Sequence, residues 1–281
     1  MRPAEVSDDV WSGLLALRAG RASTPDPGWT PPERAAWDLY APLVGTGQPG
    51  PFLFAQVGQS LDGRIATVSG DATDVSGEAG LRHLHRCRAL AQAVMVGVRT
   101  ALLDDPRLTV RLVPGLAPGP ARVVIDPRGR LPDDARVLAE DGARRLVIQG
   151  GPRDRAPGVE AVHLPMADGW IHPAAIREAL AARGLERVLV EGGGVTIAGF
   201  LEAGLLQRLH VGISPVIIGA GPSGLRTAPI ARLADALRPE TYIYGLGGEV
   251  LFDCALAASG SASRSTWPTT QEDMPLAARR A

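Results

Sequence analysis

The chain has 281 residues, 45% of them hydrophobic and 21% charged, the balance of an ordinary globular protein with room for a sizeable core. Its 29 cations against 30 acids leave a formal charge of −1, so it has neither a general basic field for nucleic acid nor the acidic excess of a disordered chain. All the cations are arginine; without lysine this chain offers no Schiff base, no Walker-type phosphate loop and no lysine general base. Asparagine is absent too, which removes N-glycosylation. Cys87 and Cys254 lie far apart and make no metal-spaced pair. No apolar run approaches the ~18 residues of a membrane span, and the first residues (MRPAEVSDDVW) lack a signal-peptide core. A cytoplasmic location, with no nucleic-acid or membrane partner, is the expectation.

Val10, Trp11, Leu14, Leu15 and Leu17 predict a short amphipathic helix, followed by a Pro/Gly-rich stretch and a second helix around Glu33–Leu43. Residues 1–50 read as an N-terminal helical extension packed on a main domain of residues 51–254. Residues 255–281, small and polar, read as a flexible tail. Within the main domain, Phe52–Val57 predicts a strand and Gly77–Ala91 a helix whose apolar face carries Leu81, Leu84, Cys87 and Leu90 or Ala91. Ala93–Val98, Arg122–Ile125, Arg145–Ile148 and Arg187–Val190 are short apolar runs, as in strands buried on both faces. Pro173–Arg183 reads as a helix opened by proline and closed by Gly184, and Val195–Ala203 as one stopped by Gly204. Leu209–Ile218 is strand again, and Tyr242–Gly248 with Glu249–Asp253 forms a terminal hairpin. The alternation predicts an α/β fold, with a mainly parallel central sheet flanked by helices and a C-terminal β-hairpin.

Three segments could carry chemistry. Arg187–Gly204 runs from a buried strand through Gly192, Gly193 and Gly194 into a helix. Glycine admits a ligand to the backbone and a helix start offers N–H groups to an anion, so this is either a phosphate site or a ligand-free tight turn. Residues 60–71 (SLDGRIATVSGD) hold an Asp62-Gly63 turn pair with Arg64 and Asp71 nearby, by itself a hairpin signal. In residues 99–111 (RTALLDDPRLTVR), Thr100 could bond phosphate or ribose, and Arg107 and Arg111 flank an apolar stretch. Asp104 and Asp105, before Pro106, are acid–base groups, metal ligands or a solvated turn. His83 and His85, two apart on a helix, point to different faces, while His163, His172 and His210 stand alone. No metal site is expected. No Gly-x-Ser-x-Gly elbow supports a hydrolase triad either.

Taken in order, AQVGQSLDGRIATVSGD, LRHLHRCRALAQAVMVGVRTALLDDPRLTVR, ARVVIDPRGRLP and VLVEGGGVTIAGFLEAGLLQRLHVGISPVIIGAG resemble the reductase domain of the bacterial riboflavin-biosynthesis deaminase/reductase. The resemblance covers residues 51–254. It implies a dihydrofolate-reductase-like fold, a homodimer, and NADPH-dependent reduction of a ribosylaminopyrimidine 5′-phosphate to its ribitylamino form. It also implies site residues. Gly58, Thr100, Asp104, Gly193, Gly194, Val195, Thr196, Ile197, Ala198 and Gly199 match cofactor-contacting positions. Arg88, Leu108, Arg111 and Glu191 match positions that hold the substrate, the two arginines gripping its phosphate. Opening of the sugar to an imine would let hydride reach the former anomeric carbon, and Asp62 or Glu191, directly or through water, would supply the proton. Ala72 and Asp74 stand where the family commonly has a serine and an aromatic, which leaves the exact substrate open. No His-x-Glu with Pro-Cys-x-x-Cys occurs, so a stand-alone reductase without the zinc deaminase is expected. The alternatives are a reductase of another pyrimidine- or pterin-like heterocycle and a non-catalytic nucleotide-binding relative.

Overall fold

Residues 1–44 and 50–256 are described by the computed structural model. After a two-residue strand, β1 (Arg2–Pro3), side-chain caps set the first helices. Ser7 accepts from the Val10 backbone to open α1 (Asp8–Arg18), and Thr30 with Glu33 forms a reciprocal capping box on α2 (Pro31–Tyr40). There follow β2 (Phe52–Ser60), α3 (Glu78–Leu90), β3 (Ala93–Gly97), α4 (Val98–Asp104), β4 (Ala121–Ile125), β5 (Arg145–Gln149) and β6 (Val159–His163). A small hairpin, β7 (Met166–Ala167) and β8 (Trp170–Ile171), leads into α5 (Pro173–Ala181). Then come β9 (Arg187–Val190), α6 (Gly194–Glu202), β10 (Arg208–Ser214) and a closing hairpin of β11 (Glu240–Leu246) and β12 (Glu249–Ala255).

The ten-stranded sheet runs β1-β11-β12-β10-β2-β9-β3-β4-β5-β6. From β10 to β6 every neighbouring pair is parallel; β12 runs against its neighbours β10 and β11. The carboxyl ends of β10, β2, β9 and β3 therefore share one edge. Side chains alternate across β2: Leu53, Ala55 and Val57 enter a core with α5 and α6, and Phe52 and Phe54 enter another with α1, α2 and α3. Both faces of the sheet are covered, which is why its strands read as unbroken apolar runs. Val10, Leu14, Leu39, Tyr40 and Leu43 belong to the second core, and Trp11 Nε1 donates to Pro114 O at 2.9 Å.

The fold class is the one the sequence predicts, and several details differ, the short strands β1, β7 and β8 among them. β10 stops at Ser214, short of Ile218, because Pro215 has no N–H to continue the ladder. α4 and the edge strand β6 were not foreseen; β6 is only half buried and lacks the apolar run of its neighbours. The buried face of α3 is also rotated. Leu81 is 41% exposed and Leu84 half-buried, while His83 and Cys87 face the core. An apolar count cannot anticipate a buried imidazole that finds polar partners inside. From residue 257 onward the expected tail lies outside the described residues.

Leu14 is fully buried among helices that precede the main domain. Leu14→Ala is expected to cost about 2–5 kcal/mol of stability, read from the midpoint of urea unfolding.

Candidate active site

β3 and β9 lie side by side, and each turns into a helix at the same sheet edge, β3 into α4 and β9 into α6. Open α/β sheets place their ligand crevice at such carboxyl ends. Glu191 follows β9 directly, its N–H bonded to Met95 O at 2.8 Å. Its two carboxylate oxygens each accept from Arg88, through Nε and Nη2 at 2.7 Å, while Arg88 Nη1 donates to Thr109 O at 3.1 Å. Both side chains are buried. Burial opposes the guanidinium charge, yet Glu191 overcomes it and holds Arg88 above its ordinary range. Arg88 was expected to grip a substrate phosphate. Its fork is instead committed to Glu191, so it positions that carboxylate.

The three glycines after Glu191 have three different reasons. Gly192 has φ +89°, and a Cβ there would press on Thr100. Gly194 packs so closely that a Cβ would lie 2.8 Å from the carbonyl oxygens of Ser223 and Gly224. Gly193 has an ordinary φ of −52°, so its reason is space and not dihedral. A Cβ on it would meet only Thr100 Oγ1, at 3.4 Å, so this position opens toward the crevice. Its N–H donates to Thr100 Oγ1 at 3.0 Å, and no side chain caps α6. Of the expected cofactor turn, Val195 and Thr196 are partly open, whereas Ile197, Ala198 and Gly199 are buried and cannot reach a ligand with their side chains. Gly58 is a glycine because a Cβ would collide with Ser76 Oγ. Asp104 ends α4, and partial burial lifts its carboxyl above the usual range.

Asp62, the other expected proton donor, is a tie. Its carboxylate accepts from Ser60 Oγ at 2.5 Å and from the N–H groups of Ile218 and Gly219 at 3.1 and 2.7 Å. These bonds, Ser60 first, bring its pKa down to about 2, so at neutral pH it has no proton to give. Arg64 completes the clamp through Gly219 O, Gly221 O and Ser223 Oγ. Ser60-Leu61-Asp62-Gly63-Arg64 thus fastens the segment that returns from β10 over the start of α6.

Leu108 is 2% exposed with φ +53°, so its side chain fills the core and any ligand contact would come from its backbone. Arg111 is exposed and donates to Thr109 Oγ1 at 2.7 Å. Partial burial, then the charges of Arg88, Arg107 and Arg136, lower its pKa; this is a convergence of arginines that favours an anion. His85 accepts from the N–H groups of Arg111 and Leu112 at 2.9 and 3.4 Å. Burial, with Arg88 and Arg111 beside it, pushes its pKa down to about 4, so it stays neutral and accepting. Neither His85 nor Arg136 was singled out beforehand; the spacing of His85 three residues before Arg88 was the available signal. His210 does not stand alone, as was expected: it meets His83 and Cys87 in the core. A cleft of about 450 Å³ beside the hairpin, lined by Asp74, Gly77, Ser214 and Glu249 among others, contains none of the residues expected to bind cofactor or substrate.

The geometry defines an α/β protein that brings a glycine turn, a buried Arg88–Glu191 pair and an arginine cluster to the carboxyl ends of its parallel strands. The chain belongs to the family of the RibD C-terminal domain, which matches residues 51–236. It is 37% identical over 185 residues to the 2,5-diamino-6-ribosylamino-4(3H)-pyrimidinone 5′-phosphate reductase of Archaeoglobus fulgidus, covering 62% of this chain and 84% of that protein. With the reductase of the same name from Methanothermobacter thermautotrophicus it is 34% identical, over 72% of this chain and 97% of the relative. The structure of Acinetobacter baumannii RibD shares the fold at a TM-score of 0.64 and 22% identity, over 79% of this chain and 61% of that one.

Arg88→Ala leaves Glu191 buried without its counter-charge and is expected to cost about 3–5 kcal/mol, measured by urea unfolding. A pH effect comes from His85, whose folded pKa is depressed from 6.5 to about 4. The stability it contributes is complete above its unfolded value and is lost as pH falls toward and through about 4. Unfolding midpoints from neutral to acid pH should show this loss, and His85→Gln should flatten it.

Proposed function

We propose that the chain reduces a ribosylaminopyrimidine 5′-phosphate to its ribitylamino form in the crevice between β3 and β9, with NADPH as the hydride donor. The observation that supports this most is the match to a relative named for this reaction class over 97% of that relative's length. Around it stand the open position at Gly193, the uncapped start of α6, the arginines near Arg111 and the fixed carboxylate of Glu191.

The residues fit a dinucleotide: a turn without a Cβ at Gly193 leaves room for a pyrophosphate, and a helix start attracts its charge without any lysine. Thr100 and the Gly193–Thr196 turn would hold it, with Asp104 at the end of α4. When bound, the cofactor supplies the hydride. Arg111, with Arg107 and Arg136, binds the substrate phosphate, the role Arg88 gives up. Glu191, held by Arg88, keeps outward lone pairs on both oxygens and orients a substrate hydroxyl or amine. Asp62 does not donate the proton. It arrives from water, beside a sugar opened to the imine. The protein works in the cytoplasm, as the sparse unpaired cysteines suggest, and as a homodimer, as the family resemblance implies; sedimentation of the full chain checks the assembly.

Two pyrimidines separate the choices of substrate. The relatives named above carry a 2-amino pyrimidinone in their names, whereas a bifunctional Thermotoga maritima protein of similar fold is named a 5-amino-6-(5-phosphoribosylamino)uracil reductase. Ala72 and Asp74, where the family commonly has a serine and an aromatic, are both exposed and leave the choice open. NADPH consumption with each phosphoribosylaminopyrimidine ranks them. Turnover of neither, with NADPH still bound, would favour another heterocycle or a non-catalytic relative. In the active enzyme, Arg111→Ala should lower substrate affinity by roughly ten- to a hundredfold, the loss of one charge-assisted bond, and leave NADPH affinity unchanged. Gly193→Val should do the reverse, weakening NADPH by at least about tenfold in a protein that still folds. Titration calorimetry of both ligands on both variants reads the crossover.

A further inference from the structure

The face that α3 turns to the sheet carries the expected Cys87, and beside it the imidazole of His83 in place of Leu81. Cys87 Sγ stands 3.6 Å from His83 Nε2 and 4.0 Å from His210 Nδ1, and the two nitrogens are 3.2 Å apart. None of the three residues is more than 1% exposed. His83 and Cys87 are one helical turn apart on α3, and β10 brings His210 to them from across the core. One outer nitrogen is tethered, and the other lies close to a carboxylate. His83 Nδ1 is 2.8 Å from the Tyr40 hydroxyl, and His210 Nε2 is 3.2 Å from Asp253 Oδ1, though not in hydrogen-bond alignment. Arg208 holds that carboxylate at 2.6 and 2.9 Å.

As a hydrogen-bond cluster this is poorly served. One proton links the two nitrogens, and the thiol is left with two long contacts. A cation would use all three lone pairs at once. The point in their plane equidistant from the three atoms is about 2.1 Å from each, against ~2.0–2.1 Å for metal–nitrogen and ~2.3 Å for metal–sulfur bonds. The Tyr40 bond on the outer nitrogen of His83 is of the kind that orients a metal-bound imidazole.

We propose that His83, Cys87 and His210 form a three-coordinate site for a thiophilic d10 cation, monovalent copper ahead of divalent zinc. Two observations choose copper. Among the described residues no further His, Cys, Asp or Glu joins the group, and structural zinc takes four ligands. Charge is the second. Arg208 already balances Asp253, so a thiolate with Cu(I) is neutral in the core, while zinc would leave a buried positive charge. On binding, the Cys87 S–H bond breaks, a copper–sulfur bond forms and the proton leaves to solvent; no electron is transferred. The bound ion staples α3 to β10, one residue before Arg88, and so steadies the helix that presents Arg88 to Glu191.

The test is anaerobic titration of the full chain with Cu(I) from a competing chelator, and separately with Zn²⁺, followed by gel filtration, metal analysis and melting. One copper per chain, bound more tightly than zinc and raising the melting temperature, is expected. Cys87→Ala and His210→Ala should each weaken copper binding at least tenfold, while Cys254→Ala, away from the site, retains it. Failure of the folded wild type to keep copper, preference for zinc, or full retention by Cys87→Ala would overturn the assignment. Should the core variants fail to fold, X-ray absorption of the copper-loaded wild type decides: a shell of one sulfur and two nitrogens supports the site, and a shell without sulfur rejects it.

Discussion

A carboxylate can end a buried strand only if its counter-charge arrives with it, and Arg88 meets that condition for Glu191. The pairing constrains much more than two side chains. For residue 88 to reach the end of β9, α3 must lie across the sheet in a single rotation about its own axis. That rotation turns His83 and Cys87 inward, leaves Leu81 in solvent, and aims His85 at the backbone of Arg111 and Leu112. The apolar spacing of the helix alone also put Cys87 and Leu90 inward, but with Leu81 in the place His83 takes. The ion pair decided it.

The crevice itself is framed by backbone more than by side chains. Gly192, Gly193 and Gly194 each meet a different demand, and only the middle one leaves space for something from outside. Opposite them the arginines crowd together: partial burial first, and then the charges of Arg88, Arg107 and Arg136, lower the pKa of Arg111, and an anion placed among them would relieve the repulsion. A neutral His85 supports this cluster by accepting hydrogen bonds without adding a further charge.

Most of the architecture was legible because buried parallel strands announce themselves as short apolar runs: Arg187–Val190 was read to the residue, and the hairpin and flanking helices nearly so. Of the candidate site, the sequence offered positions but not the partners those side chains meet. Arg88 and Asp62 are charged residues in the right segments, yet their jobs depend on partners 103 residues away in one case and on a loop more than 150 residues on in the other. Local spacing carries no record of such partners. The same limit hid the meeting of His83 and Cys87 with His210, since a metal-like spacing was sought along the chain and the third member comes from a different strand.

The clamp made by Asp62 and Arg64 divides the long return from β10 to β11 into two unlike halves. Residues 216–224 are fastened through their own N–H and carbonyl groups, and Gly194 sits against them with no room for a methyl group. Residues 227–234 are exposed. Insertions and deletions should therefore accumulate in the second half as such chains diverge, while the first half keeps its length. Extra residues there would lift the roof from the start of α6, whereas a longer second half only adds surface.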